Sequence, residues 1–127
     1  MDIKTFLDKL QVYHAPLVFN PWSEFDTSCD IGEEAPVIRS ATFKRYLELR
    51  TKAKYLFIAE GLGYQGGHFS GIAITSERIL LGHHPDVDQK SVLGEWDYAK
   101  TRTSDPASPL LNNSQKQKGF NEPTDTA

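Results

Sequence analysis

Between Thr5 and Leu10 the apolar positions return after one turn, with Phe6 and Leu10 on the same side, and this spacing predicts a short helix. Pro16 and Pro21 then interrupt any regular period and predict an extended arm carrying Leu17, Val18, Phe19 and Trp22. The stretch from Ser23 to Glu34 is rich in Asp, Ser, Thr and Gly and reads as a loop. A longer helix is predicted from about Pro36 to Lys52. Proline suits its first turn, and Val37, Ile38, Ala41, Leu47 and Leu49 supply an imperfect apolar face. Lysine and arginine crowd its last turns, where the helix dipole favours positive charge.

The apolar run Tyr55–Ala59 follows at once and empties into a loop in which five of the eleven residues from Gly61 to Gly71 are glycine. An apolar run bounded by glycines suits a buried central strand of a parallel sheet. Glycines let backbone approach a ligand closely and adopt positive φ, and ligands in open α/β sheets sit at the carboxyl ends of the strands. Further on, Thr75 or Ser76 can cap a helix through Leu81 that ends at Gly82. Residues 86–96 hold Val87, Val92 and Leu93 without a clear period, and residues 101–127 form a polar tail. The expected organisation is one α/β domain portion. It comprises a helix and arm over 1–34, then helix, strand, glycine-rich loop and helix over 35–100, then a poorly structured tail over 101–127.

A chain of 127 residues allows one domain at most. Its 39% hydrophobic content is compatible with a core, which argues against wholesale disorder. No apolar stretch reaches the ~18 residues of a membrane span, and no signal-peptide core follows Met1, so the expected location is cytoplasmic. Cys29 is the only cysteine, which excludes an internal disulfide and any four-cysteine cluster within the chain. The net charge of −3 runs against the basic footprint usual in nucleic-acid binding. From Arg39 to Lys54, however, Arg39, Lys44, Arg45, Arg50, Lys52 and Lys54 face only Glu48. That segment is either a solvated helix face or a phosphate-facing patch.

The loop carries the candidate chemistry. Glu60 stands where the expected strand ends. Gly61, Tyr64, Gln65 and Phe69 are candidates for contact with a base, and His68, Ser76 and Arg78 for contact with phosphate. For each there is a plainer alternative: a capping carboxylate for Glu60, packing under the loop for Phe69, shielding of the strand end for Tyr64, and a polar loop residue for His68. His83, His84, Asp86 and Asp88 form the only metal-like cluster. Adjacent loop histidines seldom share an ion without a third ligand, so no metal is assigned. Gly61-Leu-Gly63-Tyr-Gln-Gly66 spells a dinucleotide-binding spacing, a weak signal on its own.

The segment Ala59-Glu60-Gly61-Leu62-Gly63 with Phe69-Ser70-Gly71 resembles the first active-site motif of the uracil-DNA glycosylase superfamily. Asn20-Pro21-Trp22, Ala35-Pro36-Val37-Ile38-Arg39, Thr75-Ser76-Glu77-Arg78 and Gly119-Phe120-Asn121-Glu122-Pro123-Thr124 are similar to stretches of bacterial uracil-DNA glycosylase-like proteins, in the same order. Ala59 and Leu62 depart from the glycine and proline of that turn. The resemblance implies the N-terminal portion of a three-layer α/β/α sandwich around a central parallel sheet, with the second motif and the rest of the sheet lying beyond this sequence.

It implies hydrolysis of the N-glycosidic bond of uracil or another damaged base flipped out of DNA. Glu60 would serve the chemistry and Phe69 would stack on the base. It implies no cofactor, no metal and no membrane, DNA as partner, and a monomer when complete. The alternative is an inactive remnant that binds a nucleotide or a protein partner. A dinucleotide-binding module is a third reading.

Overall fold

The computed structural model describes residues 1–58, 60–61 and 66–101. They form five helices: α1 (Ile3–Gln11), α2 (Ala35–Glu48), α3 (Gly67–Ser70), α4 (Glu77–Leu80) and α5 (Gln89–Leu93). Helix α2 is the hub, packed against α1, α3 and α5, while α4 bridges α3 and α5.

Local chemistry explains where α1, α2, α4 and α5 begin and where α3 ends. The Asp2 carboxylate accepts the Thr5 N–H at 2.8 Å and caps α1. Pro36 occupies the first turn of α2, where its missing N–H costs nothing. Ser76 Oγ accepts from Ile79 N in α4, and Asp88 Oδ1 from Lys90 N in α5. Helix α3 ends at Gly71, whose φ of 79° only glycine adopts freely. A Cβ there would lie 3.0 Å from the Arg39 carbonyl oxygen and 3.2 Å from Trp22 Nε1, so this turn must be glycine for space as well.

The apolar core is small. Ile72, Leu80 and Leu93 are buried together, with Phe43, Tyr46, Val92 and Tyr98 packed around them. Phe43 extends the cluster to the arm through Trp22, whose ring lies 5.4 Å away, and Trp22 Nε1 donates to the Gly71 carbonyl. Outside this cluster, buried Leu7, Ala35, Phe69 and Ile79 are interspersed with buried polar side chains. The buried face of α2 carries Arg39, Ser40 and Thr42, which is why its apolar pattern reads as imperfect in sequence.

The expected α/β sandwich with a central parallel sheet is overturned: the described residues contain no sheet. Tyr55, Leu56, Phe57 and Ile58, expected to form the buried central strand, are 81%, 82%, 91% and 88% exposed. Strand propensity mostly measures how well a side chain fits a half-buried pleated surface, and a lone strand has no such surface to fit. The described chain brings no second strand beside this run, so the apolar pattern has no ladder to join.

The basic segment after Arg39 resolves into two groups. Arg45 Nε donates to the Leu93 carbonyl, and Arg50 to the carbonyls of Val92 and Ser91, so both arginines tie the C-terminal end of α5 to α2. The Arg50 guanidinium also lies 3.8 Å from the Tyr46 ring centroid. Lys44, Lys52 and Lys54 are exposed. Only the lysines therefore fit the reading as a solvated face. No helix among the described residues is long and apolar enough to cross a membrane.

Candidate functional site

Arg39 anchors the site. Its guanidinium is fully buried and makes two bonds to Asp30, NH1 to Oδ1 at 2.9 Å and NH2 to Oδ2 at 3.1 Å. It also donates to the carbonyls of Pro21 and Glu24. One side chain of α2 thereby fixes the arm and the polar loop, two segments with no regular structure of their own. A bidentate, charge-assisted pair of this kind holds geometry better than two neutral bonds would.

Asp30 passes that order to Asp26, whose N–H donates to Asp30 Oδ2 at 2.8 Å. The Asp26 carboxylate accepts the Ser28 N–H on one oxygen and meets His68 Nε2 at 3.1 Å on the other. His68 stacks on Phe19, with ring centroids 4.1 Å apart and planes 13° from parallel, and it touches Phe69 edge-on. The end of the glycine-rich loop is thus clamped to the arm by one ring stack and one carboxylate contact.

Phe19 also lines an open groove of about 620 Å³, bounded by residues 14–19 and Glu24. His14 Nδ1 lies 3.5 Å from Glu24 Oε2 at this groove. Ala15–Val18 is a tight turn closed by Val18 N to Ala15 O at 3.3 Å, with Pro16 second and Leu17 third. Leu17 sits at φ 63° and is fully exposed, at a position that glycine or asparagine ordinarily fills.

Of the residues singled out in sequence, His68 and Phe69 come together, but Phe69 is 0% exposed and packs beneath the loop. Glu60 and Gly61 lie on the surface, Gly61 at φ 66° with open space around it. Ser76 is buried and caps α4, and Arg78 is half-buried on that helix. Tyr64 and Gln65 lie outside the described residues, as do Ala59, Leu62, Gly63 and the tail from residue 102. Asp88 is occupied in capping α5, His84 Nδ1 accepts the Asp86 N–H, and among the described residues no three His, Cys, Asp or Glu side chains converge on a metal-sized space.

Sequence reasoning missed Phe19, Asp26 and Asp30 as site residues. The one local signal for the aspartates is their placement four apart in a polar loop, which also fits ordinary turn chemistry. It also missed Glu77. This carboxylate is 1% exposed and accepts from Thr101 N at 2.6 Å, Thr101 Oγ1 at 3.0 Å and the Tyr98 hydroxyl. Thr101 Oγ1 also lies 2.8 Å from the Phe69 carbonyl, so this network supports the underside of the loop.

Burial holds the His68 imidazole below its ordinary value of 6.5, against the opposing pull of Asp26. The folded chain therefore takes up a proton at His68 less readily than the unfolded chain does. The contribution of His68 to stability is fully present above pH 6.5 and is lost as pH falls through the lower folded-state value, because the unfolded chain takes up the proton first. Urea midpoints should accordingly drop between pH 7.5 and 5.5, and the drop should shrink in His68→Gln. An equal drop in both proteins would assign the effect to other groups.

No family model, no curated protein and no solved structure matches this chain.

Proposed function

We propose that the groove beside Phe19 receives a nucleotide turned out of DNA, and that the chain belongs to the machinery of an N-glycosylase acting on uracil or another damaged base. The observation that carries this reading is the Phe19–His68 stack, which ties the end of the glycine-rich loop to a residue that lines the groove. A groove of this size falls in the range that takes small ligands, and an aromatic wall recovers part of the stacking that a base loses on leaving the duplex.

In the proposed reaction the bond between C1′ and the base nitrogen breaks, water oxygen bonds to C1′, and the base departs with a proton. Positive charge builds on the sugar as the bond lengthens. Glu60 is the candidate to orient the water, and the Asp26 carboxylate, held in place by Ser28 N–H and His68, is the candidate source of negative charge. The chemistry asks for no redox cofactor. The assignment to Glu60 and the loop rests on the motif Ala59–Gly71; Phe19 and Asp26 enter from geometry.

The second reading, a nucleotide- or partner-binding module without hydrolysis, is favoured by the surface position of Glu60 and the interior position of Phe69. One experiment separates the two. Single-stranded oligonucleotides with and without one uracil are titrated by fluorescence anisotropy, and base release is followed as alkali-labile strand cleavage. The glycosylase reading expects preference for uracil and cleavage. Phe19→Ala should weaken binding by about 5- to 100-fold, the worth of one stacked base, and Phe19→Trp should restore it. Binding without cleavage selects the nucleotide-binding module, and no binding removes the glycosylase reading and the nucleotide-binding form of the second.

A further inference from the structure

Residues 51–58 leave the end of α2 for the glycine-rich loop, and every one of them is exposed, the longest such run among the described residues. The last backbone bond on this connector runs from Ala53 N to the Arg50 carbonyl at 3.1 Å. Among the described residues none follows from 54 to 58. A segment without backbone ties or buried side chains can be drawn off the surface without unfolding its neighbours, which is what entry into a protease cleft requires.

Lys52 and Lys54 lie on this connector. The other lysines and arginines of the described residues either belong to a helix or, as with Arg50 and Lys100, are half-buried. An endoprotease with an acidic specificity pocket takes a basic side chain, and the connector is where such a side chain and an untied backbone coincide. Lys54 has the freer surroundings of the two, because Arg50 and Ala53 still make turn bonds beside Lys52.

A cut here would not release either piece. Across the boundary Trp22 Nε1 donates to the Gly71 carbonyl at 3.1 Å, Arg45 Nε to the Leu93 carbonyl at 2.9 Å and Ile31 N to the Thr101 carbonyl at 2.7 Å. Phe43 and Tyr46, from before the boundary, pack on Ile72, Leu80 and Leu93 from after it. The Phe19–His68 stack and the Asp26–His68 contact span it as well.

We propose that this connector is a processing site for an endoprotease that cuts after lysine, foremost between Lys54 and Tyr55, and that the cut protein persists as a folded complex of its two pieces. In that step the bond from the Lys54 carbonyl carbon to the Tyr55 nitrogen breaks. Water gives its hydroxyl to the new Lys54 carboxyl and a proton to the new Tyr55 amine. The proposal holds whether or not the groove binds DNA.

Brief digestion of the folded full chain with trypsin tests it, with the pieces identified by mass spectrometry. Within residues 1–101 the first cut should fall after Lys54 or Lys52. The two pieces should co-elute in native gel filtration and separate in concentrated urea. Lys52→Gln/Lys54→Gln should lose this cut and keep the urea midpoint of the parent, since both positions are exposed.

Resistance of the connector overturns the proposal by showing that it is covered. A first cut elsewhere within residues 1–101 overturns it too. Cutting at the connector and at the helical lysines together does the same, because it would mean that cleavage waits for global unfolding. Pieces that part in native buffer overturn it equally, since the cut would then dismantle the fold.

Discussion

Arg39→Met should cost this protein about 3–5 kcal/mol, enough to leave a domain of ordinary stability partly unfolded at room temperature. Methionine keeps much of the arginine stem's volume, so the loss is electrostatic rather than a cavity. It strands the Asp30 carboxylate in an interior where both its oxygens faced the guanidinium, and it removes the donors serving the Pro21 and Glu24 carbonyls. A buried charge whose partner is deleted suffers the full desolvation penalty, whereas deleting both charges is far milder. Arg39→Met/Asp30→Leu should therefore be more stable than Arg39→Met alone. Denaturant melts of the four corners of this cycle measure the coupling. Strict additivity would mean that the pair does not act as a unit.

Glu77→Leu should destabilise by about 3 kcal/mol, because two donors lose their shared acceptor inside the protein. Those donors are Thr101 N–H and the Tyr98 hydroxyl, whereas the Thr101 hydroxyl keeps the Phe69 carbonyl as acceptor. Glu77→Gln keeps the shape and one acceptor oxygen and should cost roughly half as much. A second readout isolates the charge. Burial first, then the neighbouring Glu77 carboxylate, pushes the Tyr98 phenol well above its ordinary value of 10. Tyr98 thus adds stability that is fully present below pH 10 and is lost as pH rises through its folded-state value. In Glu77→Gln the tyrosinate absorbance should appear at lower pH than in the parent, though still above the ordinary range because burial persists. An unmoved titration would separate Tyr98 from the carboxylate.

Helix starts were legible in sequence where one residue type decides them. Pro36 and Ser76 mark the entries to α2 and α4, and Gly82 follows directly on the α4 C-cap, Leu81. Helices α3 and α5, of four and five residues, are too short to show a period, and their caps emerge only when the chain is folded. The run Tyr55–Ile58 misled because an apolar strand signal describes a surface waiting for neighbours, and sequence spacing alone does not supply them. Arg39 misled for the converse reason. Among basic neighbours it reads as part of a solvated face, yet its partners Pro21, Glu24 and Asp30 lie 9 to 18 residues upstream in segments without pattern. The loop pointed to His68 and Phe69, but Phe19 and Asp26, more than forty residues away, decide what His68 does.

The polar interior has a calorimetric consequence. Exposing apolar surface raises the heat capacity of unfolding and exposing polar surface lowers it. Here the buried hydrophobic side chains among the described residues are only Leu7, Ala35, Phe69, Ile72, Ile79, Leu80 and Leu93, set against a buried arginine, aspartate, glutamate and several hydroxyls. The heat-capacity increment per residue should fall below the usual ~12–15 cal/mol/K, giving a broad, shallow dependence of stability on temperature. Such a molecule resists cold better than one held by a large oily core.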